Sequence, residues 1–218
     1  DGATFARGAE LGLPGMVFYF VGRAGVLGAV DADRVTEELG VFAPDSVREH
    51  WDAGVAVMDP TVAAAEFIAC GHVWGREHLP DGLDAGRLVQ LVRRLVEVTE
   101  RPDAQVPALF AAWRAVPWPD DERAAALHGI HLLRELRGGL HVRAVRDAQV
   151  APHDAVVVRQ GESMAALFGW TAPHPDPEAA RAAWEVAEEA TNAAAAAFVA
   201  QLGDVEQDEL VELLRAAV

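Results

Sequence analysis

Three ionisable residues, His128, His131 and Glu135, fall at i, i+3 and i+7 within the stretch His128-Gly-Ile-His-Leu-Leu-Arg-Glu-Leu-Arg-Gly-Gly-Leu-His141. On a helix of about 3.6 residues per turn they share an arc of about 60°. Imidazole and carboxylate on one helix face can ligate Zn or Fe, move protons near neutrality, or form a hydrogen-bonded core cluster. The spacing is neither H-E-x-x-H nor the doubled Glu-x-x-His of di-iron bundles. A metal on His128, His131 and Glu135 is therefore only an alternative, and no cofactor is expected. Leu127, Ile130, Leu132, Leu133 and Leu136 cover most of the remaining circumference, which predicts a central, buried helix. Its charges then need partners, a ligand or a water-filled pocket.

Arg134, Arg137 and His141 approach the C-terminal end of the same helix, where the macrodipole favours positive charge. Arginine forks beside an imidazole can also hold the carboxylate or phosphate of a small ligand. Tyr19 is the only tyrosine, and buried between Phe18 and Phe20 its hydroxyl would need a partner. With Arg23, which joins if two similar segments face each other, the candidate ligand-binding set is Tyr19, Arg23, His128, Arg134, Glu135, Arg137 and His141. Catalytic residues stay unassigned. Trp74, Trp113, Trp118 and Trp170 read as core before pocket lining, and Glu66, His72, Glu77 and His78 as a solvated helix edge. The chain has no G-x-S-x-G elbow, P-loop, Rossmann glycine fingerprint or C-x-x-C pair, so hydrolase, NTPase and nicotinamide readings lack support.

The elements that must position these residues are helical, with cap-then-proline punctuation and almost no strand alternation. Helices are predicted from Pro14-Gly15 to near Gly22, from Asp31 or Asp33 to Leu39, and from Pro44 toward Met58. Others run from Thr61 to about His78, from Asp84 until Arg101-Pro-Asp stops it, and over 106–116. The central helix spans about 121–137, with Gly138-Gly139 as its C-terminal cap. A helix to Gln149, a tight turn at Ala151-Pro-His-Asp154 and a helix to Gln160 follow, then helices over 177–202 and 206–217. Arg23-Ala-Gly-Val-Leu-Gly-Ala-Val30 leading to Pro44-Asp-Ser-Val47 is echoed by Arg137-Gly-Gly-Leu-His-Val-Arg-Ala-Val145 leading to Pro152-His-Asp-Ala155. Both follow the pattern of a helix-turn-helix unit.

Composition narrows the partners. The formal net charge is −16, and all 18 basic residues are Arg, so nucleic acid meets a repulsive field. The single cysteine, Cys70, precludes an internal disulfide framework and fits a reducing cytoplasm. No apolar run reaches the roughly 18–20 residues that span a bilayer. A small-molecule partner is expected, DNA and membrane are not, and a homodimer is left open.

Arg23-Ala-Gly-Val-Leu-Gly28, and the run carrying His128, Leu132, Leu133, Arg134, Glu135, Arg137, Gly138 and His141, resemble an actinobacterial family of helical proteins classed as helix-turn-helix or MarR-like. Phe42-Ala-Pro44, Trp118-Pro-Asp120 and Gly169-Trp170 extend the resemblance over most of the chain. The family tends to read Arg-Gly-Asp-Gly-His where this chain has Arg137-Gly-Gly-Leu-His141, so a carboxylate is missing. His131 stands where the family has Thr, which weakens the metal alternative. The resemblance implies DNA binding, yet the recognition helix would be Ala155-Val-Val-Val-Arg-Gln160, a poor groove reader.

The expectation is an all-α protein with two winged-helix-like, degenerate helix-turn-helix lobes around a central buried helix. The lobes would be residues 1–116, including bridging helices, and 117–218, unless they form one compact unit. The expected function is small-molecule binding in an interior cleft. Its alternatives are a small enzyme of natural-product metabolism using His128 and His141, with or without a metal, and a MarR-like dimeric regulator.

Overall fold

Aspartates start many of the helices in the computed structural model, which describes residues 1–101 and 105–217. Asp31, Asp59, Asp84, Asp121 and Asp176 each accept a backbone N–H two or three residues ahead, and Pro60 and Pro177 occupy the first helical position. These contacts satisfy donors that a helix leaves free at its start. The described residues form α1 (Gly2–Glu10), α2 (Met16–Ala24), α3 (Ala32–Leu39), α4 (Pro44–Val57), α5 (Pro60–His78) and α6 (Ala85–Val98). They continue with α7 (Ala108–Arg114), α8 (Glu122–Asp147), α9 (Pro152–Gln160), α10 (Glu162–Leu167), α11 (Pro177–Val199) and α12 (Asp204–Ala216). The protein is all-α.

Helix α8 is the axis: α5, α6, α7 and α11 all pack on it. Its apolar circumference forces this, since Ala124, Ala126 and Leu132 are fully buried and Leu136 and Leu140 nearly so. The main core draws Phe18, Phe20, Trp51 and Leu88 from the first half of the chain together with Phe110, Leu132, Leu202 and Leu210 from the second. Gly75 on α5 lets α8 come close, because a Cβ there would lie 2.9 Å from the Arg123 carbonyl oxygen. No single helix among the described residues is long and apolar enough to cross a membrane; α4 and α5 meet at a 99° bend.

Several expectations need correction. The central helix does not stop at Gly138-Gly139 but continues to Asp147, 26 residues in all. Neither glycine takes the left-handed conformation of a helix cap. Gly139 instead admits Pro107, whose Cβ would lie 2.2 Å from a Cβ at that position. Arg137–Val145 is thus the interior of α8, whereas Arg23–Val30 leaves α2 through a 3-10 turn over Gly25–Leu27. The two echoed segments do not share a structure. The described residues contain no strand, so neither lobe has a β wing among them. Helices α1 and α10 were not anticipated. The expected stop at Arg101-Pro-Asp falls partly on 102–104, outside the described residues.

Helices α3 and α4 pack on each other across a short turn in which Gly40 is left-handed at φ 64°, the pattern of a helix-turn-helix unit. The valines expected in a recognition helix serve the core instead, with Val156 and Val157 of α9 buried.

Candidate functional site

The last turn of α2 carries Arg23 against the middle of α8, where Glu135 is buried. Arg23 Nε donates to Glu135 Oε1 at 3.0 Å and Nη2 donates to Oε2 at 2.9 Å. Its third nitrogen, Nη1, donates to the Tyr19 hydroxyl one helical turn earlier at 2.7 Å. That supplies the partner the lone tyrosine needed. Trp113 Nε1 donates to the Arg23 carbonyl oxygen at 3.0 Å, fixing the backbone as well. Arg134 Nη1 adds a bond to Glu135 Oε1 at 2.7 Å.

Burial works against both charges of this pair. For Arg23 it is outweighed by Tyr19 and Glu135, which hold the guanidinium protonated. For Glu135 burial is outweighed by Arg23, with His131 and Arg134 helping to keep the carboxyl below its usual range. The cluster of Arg23, Arg134 and Glu135 therefore carries a net charge of about +1.

Beside the cluster lies a cavity of about 450 Å³ whose lining includes residues of α1, α2, α5, α7 and α8. Phe67, Ile68, Trp74, Trp113, Leu127 and Ile130 contribute apolar walls, and Tyr19, Arg23, His72, His128, His131 and Arg134 contribute the main polar groups. His128 is only 3% exposed; its Nδ1 is 3.5 Å from His72 Nε2, and its ring stands edge-on to Trp118 with centroids 5.1 Å apart. The His131 ring lies against Trp113, centroids 4.0 Å apart. Among the described residues, Nε2 of His128 and Nε2 of His131 have no hydrogen-bond partner. His131 Nε2 approaches Glu135 Oε1 to 3.4 Å without forming one.

Burial, reinforced by the neighbouring His72 and Arg93, pushes the His128 imidazole down to about 4. For His131 burial has the same effect, to about 4, although Glu135 opposes it. Both rings are neutral at pH 7. Each neutral ring can donate one hydrogen bond and accept another.

The structure does not support His128, His131 and Glu135 as a metal set. Among the described residues no three His, Cys, Asp or Glu side chains are grouped to hold a metal ion. The Glu135 oxygens are occupied by Arg23 and Arg134.

Tyr19, Arg23, His128 and Arg134 line the large cavity, and Glu135 braces it from within α8. His141 lines a smaller cavity of about 170 Å³ that shares Tyr19, Arg23 and Arg134. Its Nδ1 is 3.1 Å from the Thr191 hydroxyl on α11. Arg137 lies elsewhere, bonding Glu188 and, at 3.2 Å, Asn192 of the same helix, so it docks α11 on α8. His72 corrects the solvated-edge expectation, since it lines the cavity beside His128, its Nε2 3.5 Å from His128 Nδ1. Gly71, beside it, was also missed; a glycine in the middle of α5 was the available signal.

No curated protein and no solved structure matches the chain significantly. A family model described as a helix-turn-helix family matches residues 2–218, and the chain belongs to that helix-turn-helix family.

Proposed function

We propose that the protein binds a small, largely apolar molecule in the cavity between α2, α5 and α8, on a scaffold inherited from helix-turn-helix proteins. The observation that carries this reading is the cavity itself. Its volume of about 450 Å³ is in the range of small-molecule sites, and its apolar walls converge on a few polar groups, including two buried imidazole nitrogens without partners. Leaving such atoms unpaired is costly, and a ligand can supply the missing contacts. Catalysis by His128 and His141 is less well supported, because the two line different cavities. The hydroxyls lining the large cavity are also engaged: Thr4 donates to Asp1, and Tyr19 accepts from Arg23.

The test is titration with N-phenyl-1-naphthylamine, a neutral dye that brightens in apolar sites. A saturable rise at one dye per chain is expected. Absence of any rise, with native mass spectrometry showing that no co-purified molecule fills the site, would overturn the reading.

Family membership favours a second reading, a helix-turn-helix DNA-binding regulator. The α3–turn–α4 unit is the natural candidate, but the exposed side chains of α4 include Asp45, Glu49 and Asp52 against Arg48. Phosphate contact requires the opposite sign. DNA retardation at sub-micromolar protein that weakens steeply with salt would establish this second reading, and none is expected.

A further inference from the structure

We infer that the cavity selects monoanions, taking a carboxylate or similar singly charged oxyanion on Arg134 and laying an apolar, preferably aromatic, body along Trp74 and Trp113. This rests on the small-molecule reading and adds its chemical class.

The first observation is the sign of the local charge. The chain as a whole carries −16, yet the charges around the cavity are mainly positive. Arg23 and Arg134 leave a surplus over Glu135, while Arg76 and Arg93 lie close enough to His72 and His128 to disfavour their protonation. Arg7 on α1 does not add to this, being paired with Glu66 at 2.9 Å. Asp1 is the carboxylate on the lining; it accepts from the Thr4 backbone N–H and hydroxyl and keeps its negative charge, so Arg23, Arg134, Arg76 and Arg93 stand against Glu135 and Asp1. A positive recess in an anionic protein concentrates field lines at its mouth.

The second observation is what Arg134 leaves free. Its side chain is 54% exposed and lines the cavity, and one of its nitrogens, Nη1, bonds Glu135. Among the described residues Nε and Nη2 bond nothing. These two nitrogens form one edge of the guanidinium, the edge that takes a carboxylate through two parallel N–H bonds. Arg23 cannot serve in the same way, since all three of its nitrogens are committed to Glu135 and Tyr19.

The third observation concerns the body of the ligand. The indole of Trp113 is anchored at its Nε1 by the Arg23 carbonyl oxygen, so an aromatic wall stands beside the cationic cluster. A cationic ligand would meet the surplus positive charge. A neutral one would cover Arg134 without pairing it, and a dianion would overshoot the charge it neutralises.

A matched series titrated calorimetrically into the full chain at pH 7.5 tests this: 2-naphthoate, 2-naphthalenemethanol, 2-naphthylmethylammonium and 2-naphthyl phosphate. Naphthoate is expected to bind at least tenfold more tightly than the alcohol and the phosphate, with no measurable binding of the ammonium. Arg134→Gln should remove the preference for naphthoate over the alcohol, the acid losing at least tenfold in affinity while the alcohol loses none. If the alcohol or phosphate equals naphthoate, or Arg134→Gln weakens acid and alcohol alike, the anion inference fails while the pocket stands. If no member of the series binds and the neutral dye also fails, the pocket reading itself is lost.

Discussion

Arg23 and Glu135, 112 positions apart in the chain, meet through two parallel hydrogen bonds of 3.0 and 2.9 Å with both side chains buried. The contact joins the end of α2 to the middle of α8. A buried pair of this kind adds little over a well-packed apolar replacement, but losing one partner leaves an uncompensated charge. Glu135→Leu is therefore expected to lower the unfolding free energy by about 3–5 kcal/mol. The double variant Arg23→Met with Glu135→Leu should recover most of that loss. Urea unfolding of the two single variants and the double variant checks this, and a single-variant loss below about 1 kcal/mol would argue against a tightly coupled pair.

Acid should destabilise the fold before the carboxylates titrate. His128 and His131 are held down to about 4 when folded, against about 6.5 in an unfolded chain. Between those values the unfolded chain binds more protons, so stability is full above about pH 6.5 and falls as pH is lowered toward 4. Each ring accounts for roughly 3 kcal/mol over that window. Glu135, depressed in the folded state, adds a further loss as pH falls below its ordinary range and through its folded value. Melting temperatures from pH 7.5 to 4.5 should fall, and His128→Phe should flatten the slope. A flat wild-type profile would mean that these rings are not held neutral by burial.

Adjacent glycines in α8 should respond in opposite directions. A Cβ at Gly138 meets no atom within 4 Å, so Gly138→Ala should stabilise by about 0.5–1 kcal/mol through helix propensity. At Gly139 the Cβ would collide with Pro107, and Gly139→Ala should cost about 1–3 kcal/mol as Pro107 is forced away. Thermal melts of the two variants distinguish close approach from a helix end, for which Gly138 and Gly139 would both resist substitution.

These glycines also mark the limit of the sequence reading. A Gly-Gly pair after an apolar helix looks the same whether it ends the helix or admits a neighbour, and only Pro107 decides between them. The centrality of α8 was legible because Leu127, Ile130, Leu132, Leu133 and Leu136 cover most of the circumference outside the arc of His128, His131 and Glu135. The starts of α3, α5, α6 and α8 were legible because Asp31, Asp59, Asp84 and Asp121 cap them. Long-range pairing was not: nothing local ties Arg23 to Glu135, and Arg23 entered the candidate set through an echo that the fold does not keep. His72 was misread because an exposed-looking spacing on α5 does not reveal that His128 lies beside it. Arg137 was grouped with Arg134 by proximity in sequence, although it points to α11. Short helices such as α10 carry too few residues for a periodic signal.

The central claim, that the cavity between α2, α5 and α8 receives a ligand, is tested most directly by Gly71→Phe. Gly71 lines the cavity in the middle of α5, and a Cβ there meets no atom within 4 Å. The new ring should fill the space while the helix loses nothing or gains about 0.5 kcal/mol over glycine. The expected result is an unchanged or slightly raised melting temperature with N-phenyl-1-naphthylamine affinity reduced at least tenfold. Wild-type dye affinity in a folded Gly71→Phe variant would contradict the account.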